Sequence, residues 1–300
     1  MEKSIHLQRK LSPLLNLLQR GVTMNPISII NLIIAISLLA STALFILSVK
    51  YLDQPGNNYQ KAISQFLGDF GYLLLLSKFI GRSYALGYLS LFSFYETLIL
   101  AAIVLVTVAK AAEKIYDVEL LKFFSYPLSA LFMIVSLFAP QNPPQLTSEM
   151  MGGWLGYHIA FVIIAYGCFS ASFLTEGMYL FLDRCIKNKQ ITIIVKLIPS
   201  LDQLNKLNYR IIFTGFIFLT VGIGFGGIWS DEIWGAYWFW EPKFIVTLFI
   251  WLVYGIYLYN KLIWGFQGKV ISYLNLIGFI AIMINYFVVR LLDGGLHHFY

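Results

Sequence analysis

The sequence predicts an all-α, polytopic transmembrane bundle of about eight spanning helices. Hydrophobic residues make up 59% of the 300 residues and charged residues only 12%. Soluble domains contain about 45–50% hydrophobic and about 25% charged residues. Such a small number of charges cannot cover a water-facing surface. Aromatic residues reach 17%, and Trp and Tyr accumulate where hydrocarbon meets lipid headgroups. The chain is therefore predicted to lie in a lipid bilayer.

Eight apolar runs are long enough to be spanning helices, because a bilayer core of about 30 Å needs roughly 20 apolar residues. The predicted helices lie near residues 26–49, 61–80, 92–110, 121–139, 154–182, 210–228, 244–264 and 270–291. The second run is the weakest because it contains Asp69 and Lys78. Asp69 and the intramembrane Glu176 are candidates for pairing with Lys78 or with arginines.

We divide the chain into three parts. Residues 1–25 form a basic N-terminal segment, 26–139 the N-terminal transmembrane helices, and 140–300 a transmembrane core with a tryptophan-rich outer loop at 229–243. The two cysteines, Cys168 and Cys185, form no CxxC, CxxCH or zinc-ligand pattern. Neither a disulfide nor a structural zinc site is expected.

The net charge of +6 reflects membrane topology, and no nucleic-acid partner is predicted. Lys and Arg lie in short loops between apolar runs, as cytoplasmic loops require. The segment 183–210 and the loop holding Lys261 and Lys269 are basic and lie on one face by alternation, which we call the inner face. Eight helices would place residues 1–20 on the opposite face, unless helix two does not span or this segment lies along the surface.

Three separated features converge on the outer face when the crossings are counted from the basic loops. His158 lies at the start of the fifth helix, the segment 229–243 joins the sixth and seventh, and His297 and His298 follow the eighth. This convergence does not depend on the topology of the first hundred residues.

The outer segment contains four Trp within twelve positions, at 229, 234, 238 and 240, together with Tyr237. An interfacial aromatic belt would account for one or two of them. Four indoles also offer an apolar platform with N–H donors, which suits a flat aromatic ligand with a polar edge. We favour the ligand platform for Trp229, Trp234, Tyr237, Trp238 and Trp240.

Histidines flank this platform. The chain has only four, and three of them, His158, His297 and His298, lie on the outer face. Two neutral imidazoles beside an aromatic platform are the ligands of a six-coordinate haem. A zinc site would need more His, Cys or carboxylate ligands. The residues therefore favour haem.

The motif WGAYWFWEPKF resembles the WGxYWxWDPKE motif of the CcsA (ResC)-type cytochrome c assembly proteins, relatives of CcmF and CcmC. The resemblance extends to WLGYHIAFVIIAYG, to the residues before the motif, to NYFVVRLLDGGLHHFY and weakly to FSFYETL. It covers roughly the last 150 residues. It implies that His158 and His297 are the axial ligands of haem iron, whereas His298 has no family counterpart.

The resemblance also implies the activity and its partners. The protein would bind haem b transiently on the outer (lumenal or periplasmic) face and present it for covalent attachment to apocytochrome c. It would act with a CcsB (ResB)-type membrane subunit, as part of a cytochrome c haem lyase (synthetase) complex rather than as a stand-alone enzyme. Richness in Ile, Phe, Tyr, Lys and Asn suits an organelle genome, so we expect a plastid thylakoid membrane, with a bacterial plasma membrane as the alternative.

Three residues depart from the family pattern. Glu241 replaces the motif's Asp, Phe244 replaces its last acid, and Tyr259 stands where the family has an intramembrane His.

Two other functions remain open on the sequence: a transporter or exporter of haem or another small molecule, and a degenerate, non-catalytic scaffold subunit of the haem-attachment complex. A transporter would favour paired intramembrane charges and repeat symmetry, and no repeat is seen. The changes at 244 and 259 favour the scaffold slightly.

Overall fold

The computed structural model describes residues 26–50, 57–116, 118–143, 146, 153–189, 195, 198–265 and 269–288, and all regular structure in these ranges is helical. The helices are α1 (Pro26–Lys50), α2 (Asn57–Leu86), α3 (Phe94–Tyr116), α4 (Leu121–Val135), α5 (Gly153–Lys187), α6 (Leu201–Trp234), α7 (Pro242–Ile263) and α8 (Lys269–Met283). A 3₁₀ turn, Ser136–Phe138, extends α4, and a π-helical turn, Ile284–Val288, extends α8.

Each of the eight predicted runs coincides with one of these helices, so the prediction of a helical membrane bundle is confirmed. Six helices in the described ranges are long and apolar enough to cross a membrane: Pro26–Val49, Tyr59–Leu86, Leu121–Phe138, Gly153–Lys187, Leu201–Trp234 and Pro242–Ile263. The second run, the weakest in the sequence, is one continuous helix. The last apolar stretch, Ile271–Tyr286, is shorter.

Successive helices run antiparallel, which gives the bundle two chemically different ends. At the outer end, Arg82 and Glu96 join α2 to α3 with an N–O distance of 2.9 Å, and Thr97 of α3 bonds Tyr286 at the end of α8. At the inner end, Arg210 near the start of α6 donates to the Tyr116 hydroxyl at the end of α3. The inner end therefore carries the basic segment that follows α5.

Glycines let α5 and α6 approach closely, and this is the most extensive helix–helix contact in the described chain. A Cβ atom at Gly215 would lie 2.9 Å from the Phe169 ring, and one at Gly222 would lie 3.0 Å from the Val162 side chain. Small residues at such positions allow membrane helices to gain van der Waals contact where no hydrophobic driving force exists. The distance between α5 and α6 therefore depends on these glycines.

Polar side chains from four helices meet inside the bundle, towards its inner end. Glu176 accepts hydrogen bonds from Asn208, Ser272 and Asn275, and Asn275 also donates to Ser172 at 2.7 Å. We call this set the Glu176 network: Ser172, Glu176, Asn208, Tyr257, Ser272 and Asn275, all of them buried. Glu176 thus bonds neutral amides and a hydroxyl rather than the basic residue that the sequence suggested. Asp69 pairs with Lys110, not with Lys78.

Replacement of Glu176 by leucine should lower the free energy of unfolding by about 1–3 kcal/mol, because the amide and hydroxyl donors around it would stay buried without an acceptor. Glu176→Gln keeps a carbonyl acceptor in the same volume and should cost clearly less. Unfolding in mixed micelles with increasing sodium dodecyl sulfate measures both variants. Equal losses for the two variants would contradict the role of the hydrogen bonds.

Candidate functional site

His158 lies in the second turn of α5 and bonds the backbone of α6. Its Nδ1 atom is 2.8 Å from the carbonyl oxygen of Gly222. A carbonyl oxygen only accepts, so Nδ1 carries the proton and donates it, while Nε2 keeps its lone pair. Histidines that bind metals characteristically donate their other N–H to a carbonyl or carboxylate in this way, which fixes the tautomer and the ring orientation. The bond to Gly222 therefore fixes the orientation of the His158 ring and leaves the Nε2 lone pair unprotonated.

Gly226 makes room for the imidazole ring. A Cβ atom there would lie 2.5 Å from Nδ1 of His158 and 2.7 Å from its Cε1. A side chain on an α-helix covers the turn that precedes it, so any side chain at 226 would also cover the Gly222 carbonyl. No sequence prediction included this Gly222-x-x-x-Gly226 pair, although its spacing is the known signal for close helix contact in membranes.

An aromatic cluster surrounds the His158 turn. Phe225 of α6 contacts three rings of α5, with centroid distances of 5.6 Å to Trp154, 5.4 Å to Tyr157 and 5.4 Å to Phe161. Tyr157 is exposed, whereas Phe161 and Phe225 are half-buried. These residues were not predicted from the sequence, since single aromatic residues in apolar helices carry no distinguishing pattern. The four rings form an apolar cluster around the helical turn that carries His158, at the outer end of the bundle.

The tryptophan-rich segment is a loop only at 235–241, which corrects the predicted loop of 229–243. Residues up to Trp234 continue α6, because its apolar pattern extends that far, and α7 begins at Pro242. Gly235 ends α6 in the left-handed conformation, with φ of 72°, and its N–H bonds the Asp231 carbonyl. Glycine adopts this conformation without a steric penalty. The Ser230 hydroxyl donates to the Ala236 carbonyl at 2.6 Å and holds the loop against the helix end.

The five aromatic residues singled out in this segment have different environments. Trp229 is 2% exposed and packs against Leu155 and edge-to-face against Trp234. Trp238 and Trp240 contact each other edge-to-face at 6.2 Å. Trp240 and Tyr237 are 78% and 65% exposed. The rings of Trp240, Tyr237 and, in part, Trp238 are therefore accessible from outside the protein, whereas the buried Trp229 packs against Trp234.

The loop lies beside the His158 site. A Cβ atom at Gly227, next to Gly226, would lie 3.5 Å from the Tyr237 carbonyl oxygen. The Tyr237 hydroxyl donates to the Asp231 carboxylate, which raises the pKa of Tyr237 above its usual value. Convergence of His158 and the tryptophan segment, an inference from the crossings alone, is thus present in the structure.

The other predicted ligand, His297, lies outside the described residues, as does His298. The described part of α8 ends beside α3 at the outer end, where Tyr286 contacts Phe94 and Thr97. Within the described ranges, no group of three or more His, Cys, Asp or Glu side chains could hold a metal ion.

The two substitutions in α7 have different surroundings. Phe244 contacts the Trp238 ring edge-to-face at 5.1 Å, so the residue that replaces an acid supports the loop instead. Tyr259 is 58% exposed, whereas Tyr257 is fully buried in the Glu176 network. Tyr259 thus faces away from the interior of this chain.

Comparison with known proteins gives concordant matches. Residues 91–297 match the model of the family described as Cytochrome C assembly protein. The chain is 28% identical over 301 residues to the cytochrome c biogenesis protein CcsA of Trieres chinensis, covering 90% of this chain and 95% of that protein. It is 26% identical over 298 residues to CcsA of Prochlorococcus marinus subsp. pastoris, covering 92% and 93%. It is 35% identical over 159 residues to CcsA of Chlamydomonas reinhardtii, covering 53% of this chain and 44% of that protein.

Gly226→Ala should displace the His158 ring and break its bond to Gly222. Loss of a hydrogen bond that orients a metal-binding histidine costs about 10–100-fold in affinity, and we expect this reduction when haem is titrated into the purified protein and followed by absorbance. Gly224→Ala is the matched control, since a Cβ at Gly224 meets no atom within 4 Å. Equal affinities for the two variants would contradict a role of the Gly222 bond in orienting His158 towards haem.

Proposed function

This chain belongs to the cytochrome c assembly protein family and acts in cytochrome c biogenesis, and we propose that its outer end binds haem and presents it for covalent attachment to apocytochrome c. One observation carries the proposal. His158 donates its Nδ1 proton to the Gly222 carbonyl at 2.8 Å, which leaves Nε2 as a ligand beside the tryptophan loop.

The donor set around His158 fits haem better than a free metal ion. Haem iron already has four porphyrin nitrogens, so the protein supplies only axial ligands. A site with one oriented imidazole and no further ligand cluster among the described residues suits that requirement. His297 is the second axial ligand by its resemblance to the family motif.

The exposed rings of the loop suit a porphyrin face. Tyr237, Trp238 and Trp240 offer flat apolar surface with polar edges at the outer end of α6 and α7, and such rings bind planar ligands with little loss of side-chain entropy. Trp229 and Trp234 pack at the end of α6, between the helix and the loop, and hold the loop in position. The protein's part is to bind and orient haem, while the bond-forming chemistry belongs to haem itself.

The proposal includes the partners and the location. The ligand is haem b, held transiently, and its acceptor is apocytochrome c. The chain acts with a CcsB (ResB)-type subunit, as part of a haem lyase complex. A plastid thylakoid membrane is the proposed location, supported by the similarity to proteins of an alga and a diatom.

His158→Gly and His297→Gly should each abolish holocytochrome c formation, because each removes an axial ligand while the chain still inserts in the membrane. Each substitution leaves a space the size of an imidazole, so added imidazole should restore part of the activity. Haem staining of membrane cytochromes, with immunoblotting of the chain itself, measures both effects.

His298→Gly is the matched control, since it removes a neighbouring imidazole that the family pattern does not use. It should leave holocytochrome c formation nearly unchanged. An essential His298 with a dispensable His297 would move the second ligand by one position. If neither His158 nor His297 mattered, haem binding at the outer end would be refuted and the tryptophan segment would be an interfacial belt.

A further inference from the structure

The inner end of the bundle contains a cavity of about 400 Å³ between α1, α2, α3 and α4. Hydroxyl groups, two phenylalanines and six charged side chains line it, the charged ones being Asp69, Lys110, Glu113, Lys114, Glu119 and Lys122. Cavities of this size accommodate small organic ligands. The cavity lies far from His158 and belongs to the half of the bundle that the outer site does not use.

Charged side chains line this cavity deep in the helix bundle. Asp69 is ten residues into the span that begins at Tyr59, about 15 Å along the helix at 1.5 Å per residue. Its side chain is 59% exposed and pairs with Lys110. Charged side chains at such depth are costly unless they face the bundle interior or a water-filled cavity. Because Asp69 lines the cavity, water that enters from the inner end would solvate this carboxylate and lower that cost.

One of the lysines that line the cavity has no carboxylate partner among the described residues. Three lysines and three carboxylates line the cavity, and the ion pairs are Lys110 with Asp69 and Lys122 with Glu113 and Glu119. Glu119 also pairs with Lys61, which does not line the cavity. Lys114 is exposed and makes no ion pair with any described residue, so its positive charge is available to an anionic group.

We propose that this cavity is a hydrated vestibule, open at the inner end, that binds the carboxylate or phosphate head of an amphipathic ligand on Lys114. Phe45 and Phe123, which also line it, contact the apolar body of the ligand. The chemistry fits a haem propionate and an anionic lipid headgroup. The haem alternative rests on the proposed function, whereas the vestibule and its charge do not.

Cysteine labelling tests whether the vestibule holds water. Gln65 lines the cavity, while its neighbour Phe66 lies at the same depth and is 67% exposed on the outside of the bundle. Cys168 and Cys185, both buried, are first replaced by alanine. We expect a membrane-impermeant maleimide to label Gln65→Cys from the inner side of oriented vesicles and to leave Phe66→Cys unlabelled.

Equal labelling of both positions, or labelling of neither, would overturn the vestibule. The first result would mean that α2 as a whole is exposed to water at this depth. The second would mean that lipid or another polypeptide fills the cavity.

Protection of Gln65→Cys from the maleimide identifies the ligand. The two probes are free haem and vesicles of phosphatidylglycerol. Protection by either probe supports the site and shows whether the ligand is haem or an anionic lipid. Lys114→Gln should remove the protection, while Lys206→Gln, an exposed inner-end lysine on α6 paired with Asp202, should leave it intact. Protection by neither probe, or protection that survives Lys114→Gln, would overturn the site.

His158→Gly separates this inference from the proposed function, since it removes the outer ligand without touching the inner end. In a chain that carries both Gln65→Cys and His158→Gly, the probe should still protect the cysteine from the maleimide, although haem no longer binds at the outer end. If His158→Gly binds haem normally while Lys114→Gln loses protection, the outer site fails and the vestibule stands.

Discussion

The close approach of α5 and α6 is the constraint on which the outer site depends. In a bilayer, two helices gain nothing from burying apolar surface against each other, so contact area and hydrogen bonds must hold them together. Gly215, Gly222 and Gly226 provide that contact. The same glycines expose one backbone carbonyl to the neighbouring helix, and His158 donates to it. The packing of α5 against α6 and the orientation of the His158 ring thus depend on the same glycines.

Polar groups inside the bundle are stabilised in two different ways. In the Glu176 network, neutral amide and hydroxyl donors from α6 and α8 satisfy a carboxyl group completely inside protein. Around Asp69, charged side chains instead line a cavity that reaches the inner end. Both arrangements avoid placing a charge against lipid, which would cost several kcal/mol. Only the second leaves charge accessible to a ligand.

Helix α3 connects the two halves of the molecule. Its inner end supplies Lys110 and Lys114 to the cavity, and its outer end supplies Thr97 to the bond with Tyr286 of α8. The segment that carries His297 follows that end of α8. A shift of α3 therefore bears on both ends of the bundle, although the two sites share no side chain.

The sequence by itself determined the helices, the two faces and the residue types of the outer site. Length and hydropathy are local properties, so the apolar runs predicted eight helices, and alternation of the crossings placed His158 on the face of the tryptophan segment. Only the tertiary structure decided which polar atoms meet. The Gly222 carbonyl bonds His158, neutral donors rather than a basic residue bond Glu176, and Asp69 pairs with Lys110 instead of Lys78. These partners lie on different helices, 32 to 99 positions apart in the sequence. Their contacts depend on the rotation of each helix about its axis, which packing between helices sets and local sequence does not.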